Sequence, residues 1–166
     1  MSLGQQVSDD HQLARLLQIG VVLEEVVESR AHHHIERLPA DQQAELDEEV
    51  RTLLAEAADE SADHRERLAE LIERLDAEPV PYEEINRLVE AKYGQTAPED
   101  FDGVLYDQLC NEETAYKFYD DLIEAIENSD TEFSVDTGGV LETLAEIRAE
   151  EEAGVEEVTT LMERRA

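Results

Sequence analysis

The sequence predicts an all-α protein: an up-down four-helix bundle with one long connection, between the second and third helices. Apolar residues recur at helical spacing in four long stretches, and no stretch alternates apolar and polar residues over more than a few positions. Prolines and glycines interrupt the pattern between the stretches. A chain of 166 residues fits a single domain with its own core.

The four predicted helices follow from apolar spacing and from residues that start or stop helices. The first should run from about 9 to 38 behind a capping Ser8, and the second from about 41 to 76, just after a proline. The third should run from about 101 to 128. The fourth should run from about 140 to 164, after a short polar loop.

The connection at 77–100 is the predicted crossover between the second and third helices. It contains three prolines and Gly94, which break the helical pattern. One short amphipathic helix is still expected inside it, because Tyr82, Ile85, Leu88 and Val89 share a face.

Acidic residues dominate the whole chain. The 44 acidic and 13 basic side chains give a formal net charge of −31, dispersed over segments that also carry regular apolar positions. This pattern favours a folded protein with an acidic surface over a disordered tail. Because molar salt screens charges within about 3 Å, we expect an extremely halophilic source. The same surface should repel nucleic acids and anionic membranes, so neither is an expected partner.

Two further features bear on location and redox chemistry. The sequence shows neither an apolar stretch of about 18 residues nor a positively charged leader, so we expect a cytoplasmic protein. Cys110 is the single cysteine, which excludes a disulfide within the chain and a metal site made of cysteines.

Each predicted helix carries a titratable group on its apolar face, about halfway along. These groups are Glu28, His64, Glu112 and Glu151. A buried carboxylate is costly unless it is protonated or paired, so a shared cation is the simplest neutraliser. Carboxylates with an imidazole suit iron, manganese or zinc. The alternative is that the helix ends splay and these acids reach water or share a proton.

Three adjacent histidines, His32, His33 and His34, look at first like a metal-binding cluster. On a helix they point in three directions, with His33 on the surface and His34 at the edge of the core. His32 is the only one considered as a substitute ligand, because it lies one turn from Glu28 in the same row.

The chain also contains an internal repeat of two helix pairs. The segment from Glu28 aligns with the segment from Glu112, and the segment from Leu54 aligns with that from Leu144. The second alignment pairs Ser61 with Glu151 and His64 with Gly154.

With these motifs, the chain resembles the ferritin-like superfamily, in particular its rubrerythrin and bacterioferritin branches. The family motif Glu-x-x-Ala-x-x-x-Tyr is matched from Glu28 and from Glu112, with isoleucine in place of the first tyrosine. The family motif Glu-x-x-His keeps only its histidine at His64 and only its glutamate at Glu151. The resemblance implies a di-iron site, of whose six ligands four are present. Glu60, four residues before His64, could replace the missing carboxylate, but no nearby residue replaces the second histidine. A single metal, a weakened pair or no metal is therefore expected.

Two functions follow as alternatives. The first is a non-haem metal protein that binds iron or another divalent metal, with redox or peroxide-related chemistry and an external electron donor. The second is a non-enzymatic structural or dimerisation module of the same fold whose metal site has decayed. Long apolar stretches on the first two helices also predict a homodimer.

Overall fold

The computed structural model describes residues 7–36, 38–45, 48–93 and 101–164, and among these residues it contains helices and no strand. The all-α prediction is therefore confirmed. The helices, in chain order, are α1 (Asp10–Glu36), α2 (Ala40–Glu45), α3 (Glu48–Arg74), α4 (Tyr82–Tyr93), α5 (Phe101–Glu127) and α6 (Thr137–Arg164).

The four long helices, α1, α3, α5 and α6, match the predicted stretches closely. The second predicted helix corresponds to α2 together with α3, and the two residues between them, 46–47, lie outside the described part of the chain. The predicted connection contains α4, which has 12 residues, so a helix is present where a short one was expected. Residues 94–100 of that connection also lie outside the described residues.

Aspartates cap two of the long helices and set where they begin. The backbone N–H of Gln12 donates to Asp9 Oδ1 over 2.7 Å, so Asp9, and not Ser8, caps α1. The N–H of Gly139 donates in the same way to Asp136 Oδ2 over 3.2 Å. This cap starts α6 three residues before the predicted position, because it holds two glycines in the first helical turn.

Two apolar clusters fix the directions of the long helices. The larger cluster joins the first half of α1 to the last turns of α3 and α5 and to the first turns of α6. The smaller cluster joins Leu38 to the beginnings of α3 and α5 and to the end of α6. Thus α1 runs antiparallel to α3 and α5 and parallel to α6, while α3 and α5 run the same way.

A belt of buried polar side chains lies between the two apolar clusters. It contains Glu24 on α1, Ser61 and His64 on α3, Gln108 and Glu112 on α5, and Glu151 on α6. All six are less than 7 % exposed, although each carries a polar or titratable group. Such groups need partners when they are removed from water, so the belt is the first place to look for a functional site.

The described outer surface carries two large exposed apolar side chains, Tyr82 on α4 and Tyr106 on α5. Neither lies on α1 or α3, whose apolar stretches led to the homodimer prediction. The described residues of α1 and α3 thus carry no large exposed apolar side chain that would support the homodimer prediction, which stays untested. None of the described helices combines the length and the apolar character needed to cross a membrane.

Candidate metal centre

Four helices supply the side chains of one buried cluster. Glu24 and His64 are 0 % exposed, Glu151 is 3 % exposed and Glu112 is 6 % exposed. They come from α1, α3, α6 and α5 respectively. Because each lies on the inner face of its helix between the two apolar clusters, their polar ends meet in the interior.

Glu24, His64 and Glu151 form what we term the inner triad. The Nδ1 atom of His64 lies 3.0 Å from Glu151 Oε1 and 3.3 Å from Glu24 Oε1. One ligand atom from each residue lies within 4.8 Å of the others. The inner triad therefore brings an imidazole and two carboxylates from three helices to one point.

The carboxylate of Glu24 is satisfied on one side only. Its Oε1 atom accepts a hydrogen bond from the Tyr119 hydroxyl over 2.5 Å. Its Oε2 atom is buried, and it is the only such side-chain atom in the described residues that has no hydrogen-bond partner. A buried carboxylate oxygen with no donor is unfavourable, so this atom marks a place where a ligand would be stabilised.

Glu60, Glu112 and Glu151 form a second group, the outer triad. Their carboxylate oxygens also lie within 4.8 Å of one another, and Glu151 belongs to both triads. Gln108 Nε2 donates to Glu112 Oε1 over 2.8 Å and holds that carboxylate in place. The Glu60 side chain is 39 % exposed, so the outer triad opens towards solvent.

Gly154 leaves the space that the Glu112 carboxylate occupies. A Cβ atom at position 154 would lie 2.7 Å from Glu112 Oε2 and 2.8 Å from Glu112 Cδ. Real Cβ atoms essentially never approach so closely. The ferritin-like motif would place a histidine at this position. In the structure, the lack of a side chain at Gly154 lets the Glu112 carboxylate reach the cluster.

Glu150 and Arg67 hold the outer side of the His64 ring. His64 Nε2 lies 2.9 Å from Glu150 Oε2, and that oxygen also accepts a hydrogen bond from Arg67 Nη2 over 2.7 Å. A proton on Nε2 is thereby favoured. Nδ1 is then the nitrogen that faces the inner triad, and a partner of this kind fixes the ring of a metal-binding histidine.

The surroundings of the cluster favour the protonated forms of His64 and Glu151. Burial alone would lower the pKa of His64, but the hydrogen bond and charge of Glu24 and the hydrogen bond of Glu150 outweigh burial, and the pKa of His64 is raised. Burial raises the pKa of Glu151 well above its ordinary value, helped by a hydrogen bond with Glu112 and by the charge of Glu24.

The pKa values of two neighbouring groups, Glu60 and Tyr119, are also raised. Burial raises the pKa of Glu60 from 4.5 to about 7, against the charge of His64 and with the help of several acids, including Glu112 and Glu157. Burial and the charge of Glu24 raise the pKa of Tyr119 well above its ordinary value. The raised pKa values of Glu60, Tyr119 and Glu151 thus come mainly from burial, and the charges of neighbouring acids add to them.

The structure brings together most of the residues that the sequence indicated. His64, Glu112 and Glu151 meet, and Glu60, considered as a replacement ligand, lies with them. Glu28 does not join them, because its carboxylate is paired with Arg65. His32 is exposed on α1 and lies in neither triad.

Glu24 is the residue that the sequence interpretation missed. It lies one turn before Glu28, and both fall near the same face of α1. A signal was available: Glu24 is seven residues after Leu17 and seven before Ala31. Seven residues are close to two turns, and both flanking residues are buried, so the row predicts a buried group at 24.

No protein-family model matches the chain, and comparisons with curated proteins and with solved structures found no match either. The function is therefore argued from the geometry of the two triads. The ferritin-like resemblance stays a prediction.

Proposed function

We propose that the protein binds a divalent metal cation between its four long helices, with Glu24, His64 and Glu151 as the main ligands. The observation that carries this proposal is the buried, unpartnered Oε2 atom of Glu24, whose other carboxylate oxygen, Oε1, lies 3.3 Å from His64 Nδ1. A cation would give this oxygen the positive partner that the described side chains do not supply.

The donor set and its dimensions fit such a cation. Nitrogen and oxygen ligands lie about 2.0–2.2 Å from zinc, so two ligands of one ion are at most about 4.4 Å apart. In the inner triad, His64 Nδ1 lies 3.0 Å from Glu151 Oε1 and 3.3 Å from Glu24 Oε1, and both distances are within this limit. Imidazole with carboxylates suits iron, manganese or zinc.

Charge balance supports the same conclusion. Glu24, Glu60, Glu112 and Glu151 meet with His64 as the one basic member of the two triads. Arg67 is nearby, but its guanidinium is engaged by Asp63 and Glu150. A divalent cation would replace the protons held by His64 and Glu151. Metal binding should therefore release protons and weaken as the pH falls.

The outer triad offers a second, weaker position that shares Glu151 with the first. It has three carboxylates and no imidazole, and Glu60 is partly exposed. We propose that a second cation binds there after the inner triad is filled. Glu60→Gln should then reduce the stoichiometry without removing the first cation, whereas Glu151→Gln should weaken both.

The arrangement of the helices supports a ferritin-like fold as part of the proposal. α1 is antiparallel to α3 and α5, and the long connection between the parallel helices α3 and α5 contains α4. Ferritin-like bundles also have one long crossover and inward-facing carboxylates with histidines. Iron or manganese in such a site would supply redox chemistry towards oxygen or peroxide, with electrons from an external donor. The net charge of −31 supports a halophilic source.

A second candidate is a structural helical module whose cluster is held by protons alone. The raised pKa values of His64 and Glu151 favour it, because protonation of both groups reduces the buried charge. In this case the unpartnered Glu24 oxygen is simply a cost to stability.

Metal content and thermal stability distinguish the two candidates. The protein would be purified without a metal-chelating column, analysed for bound metals, and melted with and without EDTA. Metal binding predicts a stoichiometric metal and a lower Tm in EDTA. The structural candidate predicts neither, and such a result would overturn the metal proposal.

The sequence offers a matched control for three of the ligands, because each is followed by an exposed glutamate. Glu24→Gln, Glu112→Gln and Glu151→Gln would be compared with Glu25→Gln, Glu113→Gln and Glu152→Gln, respectively. Both members of a pair replace a glutamate by glutamine on the same helix. The proposal requires metal loss in the first member only.

A further inference from the structure

A groove runs along the surface between the first half of α3 and the last half of α6. It encloses a volume of about 720 Å³, and the described residues that line it include five glutamates and one arginine. The arginine, Arg164, is paired with Glu49, which also lines the groove. The groove is therefore strongly negative, and it lies on the same two helices that carry His64 and Glu151.

The inner end of the groove adjoins the outer triad. On α3, Glu56 lines the groove and lies one turn before Glu60. On α6, Ala153 and Glu157 line it on either side of Gly154, the residue against which the Glu112 carboxylate packs. The charge of Glu157 also reaches Glu60. Residues that line the groove are thus close neighbours of the outer triad along both helices.

Apolar residues and ion-paired side chains lie around other parts of the cluster. The large apolar cluster closes one end of the polar belt, and the smaller one packs at the other. Glu150 and Arg67 cover the outer nitrogen of His64. Among the described residues, Glu60 is the only one of the five triad side chains that is not buried. A cation that approaches from the groove would meet Glu60 first.

We infer that this groove is the route by which the metal cation reaches the buried triads, with Glu56 and Glu157 attracting it and Glu60 passing it to Glu112 and Glu151. The inference rests on the proposed metal-binding function. A cleft lined by one sign of charge concentrates ions of the opposite sign and can raise association rates by about 10-fold or more. The groove carboxylates would speed the arrival of the ion, while the buried ligands would set how tightly it is held.

Stopped-flow uptake of Co²⁺, followed by its visible absorption, tests this route. Glu56→Gln with Glu157→Gln removes two charges from the groove. Glu66→Gln with Glu163→Gln is the matched control, because it removes two exposed charges from the same helices outside the groove. We expect the groove variant to load at least about fivefold more slowly. The buried triads set the affinity, so the dissociation constant should stay nearly constant. The rate of Co²⁺ release to EDTA should therefore fall by a factor similar to that of the loading rate.

The outcomes separate this inference from the proposed function. Equal loading rates in the groove variant and the control would overturn the groove as the route, while metal binding would still stand. A groove variant whose loading rate is unchanged but whose affinity falls would also overturn it, because Glu56 or Glu157 would then act as a ligand. An equilibrium titration in which the unaltered protein takes up no Co²⁺ would overturn both.

Discussion

Gly154→Ala tests the close approach of α5 and α6 at the cluster. The added Cβ would lie 2.7 Å from Glu112 Oε2, so the Glu112 carboxylate has to move. That carboxylate is 6 % exposed and bonded to Gln108, and it shares a hydrogen bond with Glu151. The substitution should therefore separate Glu112 from the other ligands.

The expected magnitude is a balance of two opposite effects. Alanine is favoured over glycine inside a helix by about 1 kcal/mol. Disrupting a hydrogen bond to a buried charged group costs about 1.5–3 kcal/mol. The difference is a net loss of about 0.5–2 kcal/mol in the free energy of unfolding, or a few degrees in Tm for a chain of this size.

Urea unfolding in the presence of EDTA would measure this loss without a contribution from bound metal. Gly138→Ala is the control, because a Cβ there would lie 3.6 Å from its nearest neighbour, an ordinary contact. The control should be neutral or stabilising. Adding Glu112→Asp to Gly154→Ala shortens the obstructing side chain, and the double variant should recover part of the loss.

The reasoning would be refuted by a Gly154→Ala protein that is as stable as the unaltered chain and binds as many cations. Such a result would mean that Glu112 has another position of equal energy, and that the outer triad does not depend on the glycine.

Four further results are expected. Glu60→Gln should stabilise the cation-free chain against urea at about pH 8 and leave its stability nearly unchanged at about pH 4. Folding raises the pKa of Glu60 from 4.5 to about 7, so the folded protein favours the protonated carboxyl and loses that stabilisation as the pH rises through about 7. Tyr119→Phe should lower the free energy of unfolding by about 1–3 kcal/mol by removing the hydroxyl that donates to Glu24 Oε1, and Tyr116→Phe is the control on the same helix. Glu28→Gln should leave the metal content unchanged in elemental analysis and cost less than about 1 kcal/mol, because its pairing with Arg65 is partly exposed. The Tm should rise steeply with KCl as salt screens the net charge of −31, and a Tm independent of salt would contradict the halophilic interpretation.

The helices and their inner faces could be predicted from the sequence because they depend on local chemistry. Apolar spacing located all four long helices, and the prolines and Gly94 located the connection. The exact starting residues were less predictable. Asp9 caps α1 where Ser8 was the predicted cap, and Asp136 caps α6, which begins three residues before the predicted start.

The choice between Glu24 and Glu28 could not be made from α1 alone. Residues four apart lie near the same face of a helix, and the alignment with the segment from Glu112 favoured Glu28. The structure decides through the neighbouring helix, because Arg65 pairs with Glu28 and His64 faces Glu24. Only the packing of α1 against α3 determines which carboxylate meets which base.

The role of Gly154 shows the same limit. The ferritin-like Glu-x-x-His motif would have a histidine at Gly154. The motif does not predict which side chain lies in the space next to the glycine. The space is filled by a carboxylate from α5, which the packing of α5 on α6 brings there. His64 and Glu151 were predictable because each interrupts a row of apolar residues on its helix. The contact between Gly154 and the Glu112 carboxylate was not predictable, because it depends on how α5 packs on α6.

The most direct measurement is anomalous diffraction from crystals grown with Mn²⁺ or Zn²⁺. A cation held by the inner triad should give a peak within about 2.3 Å of His64 Nδ1 and of one oxygen from each of Glu24 and Glu151. A peak only at the surface histidines, or a His64 ring still hydrogen-bonded to both carboxylates at saturating metal, would overturn the proposed metal site.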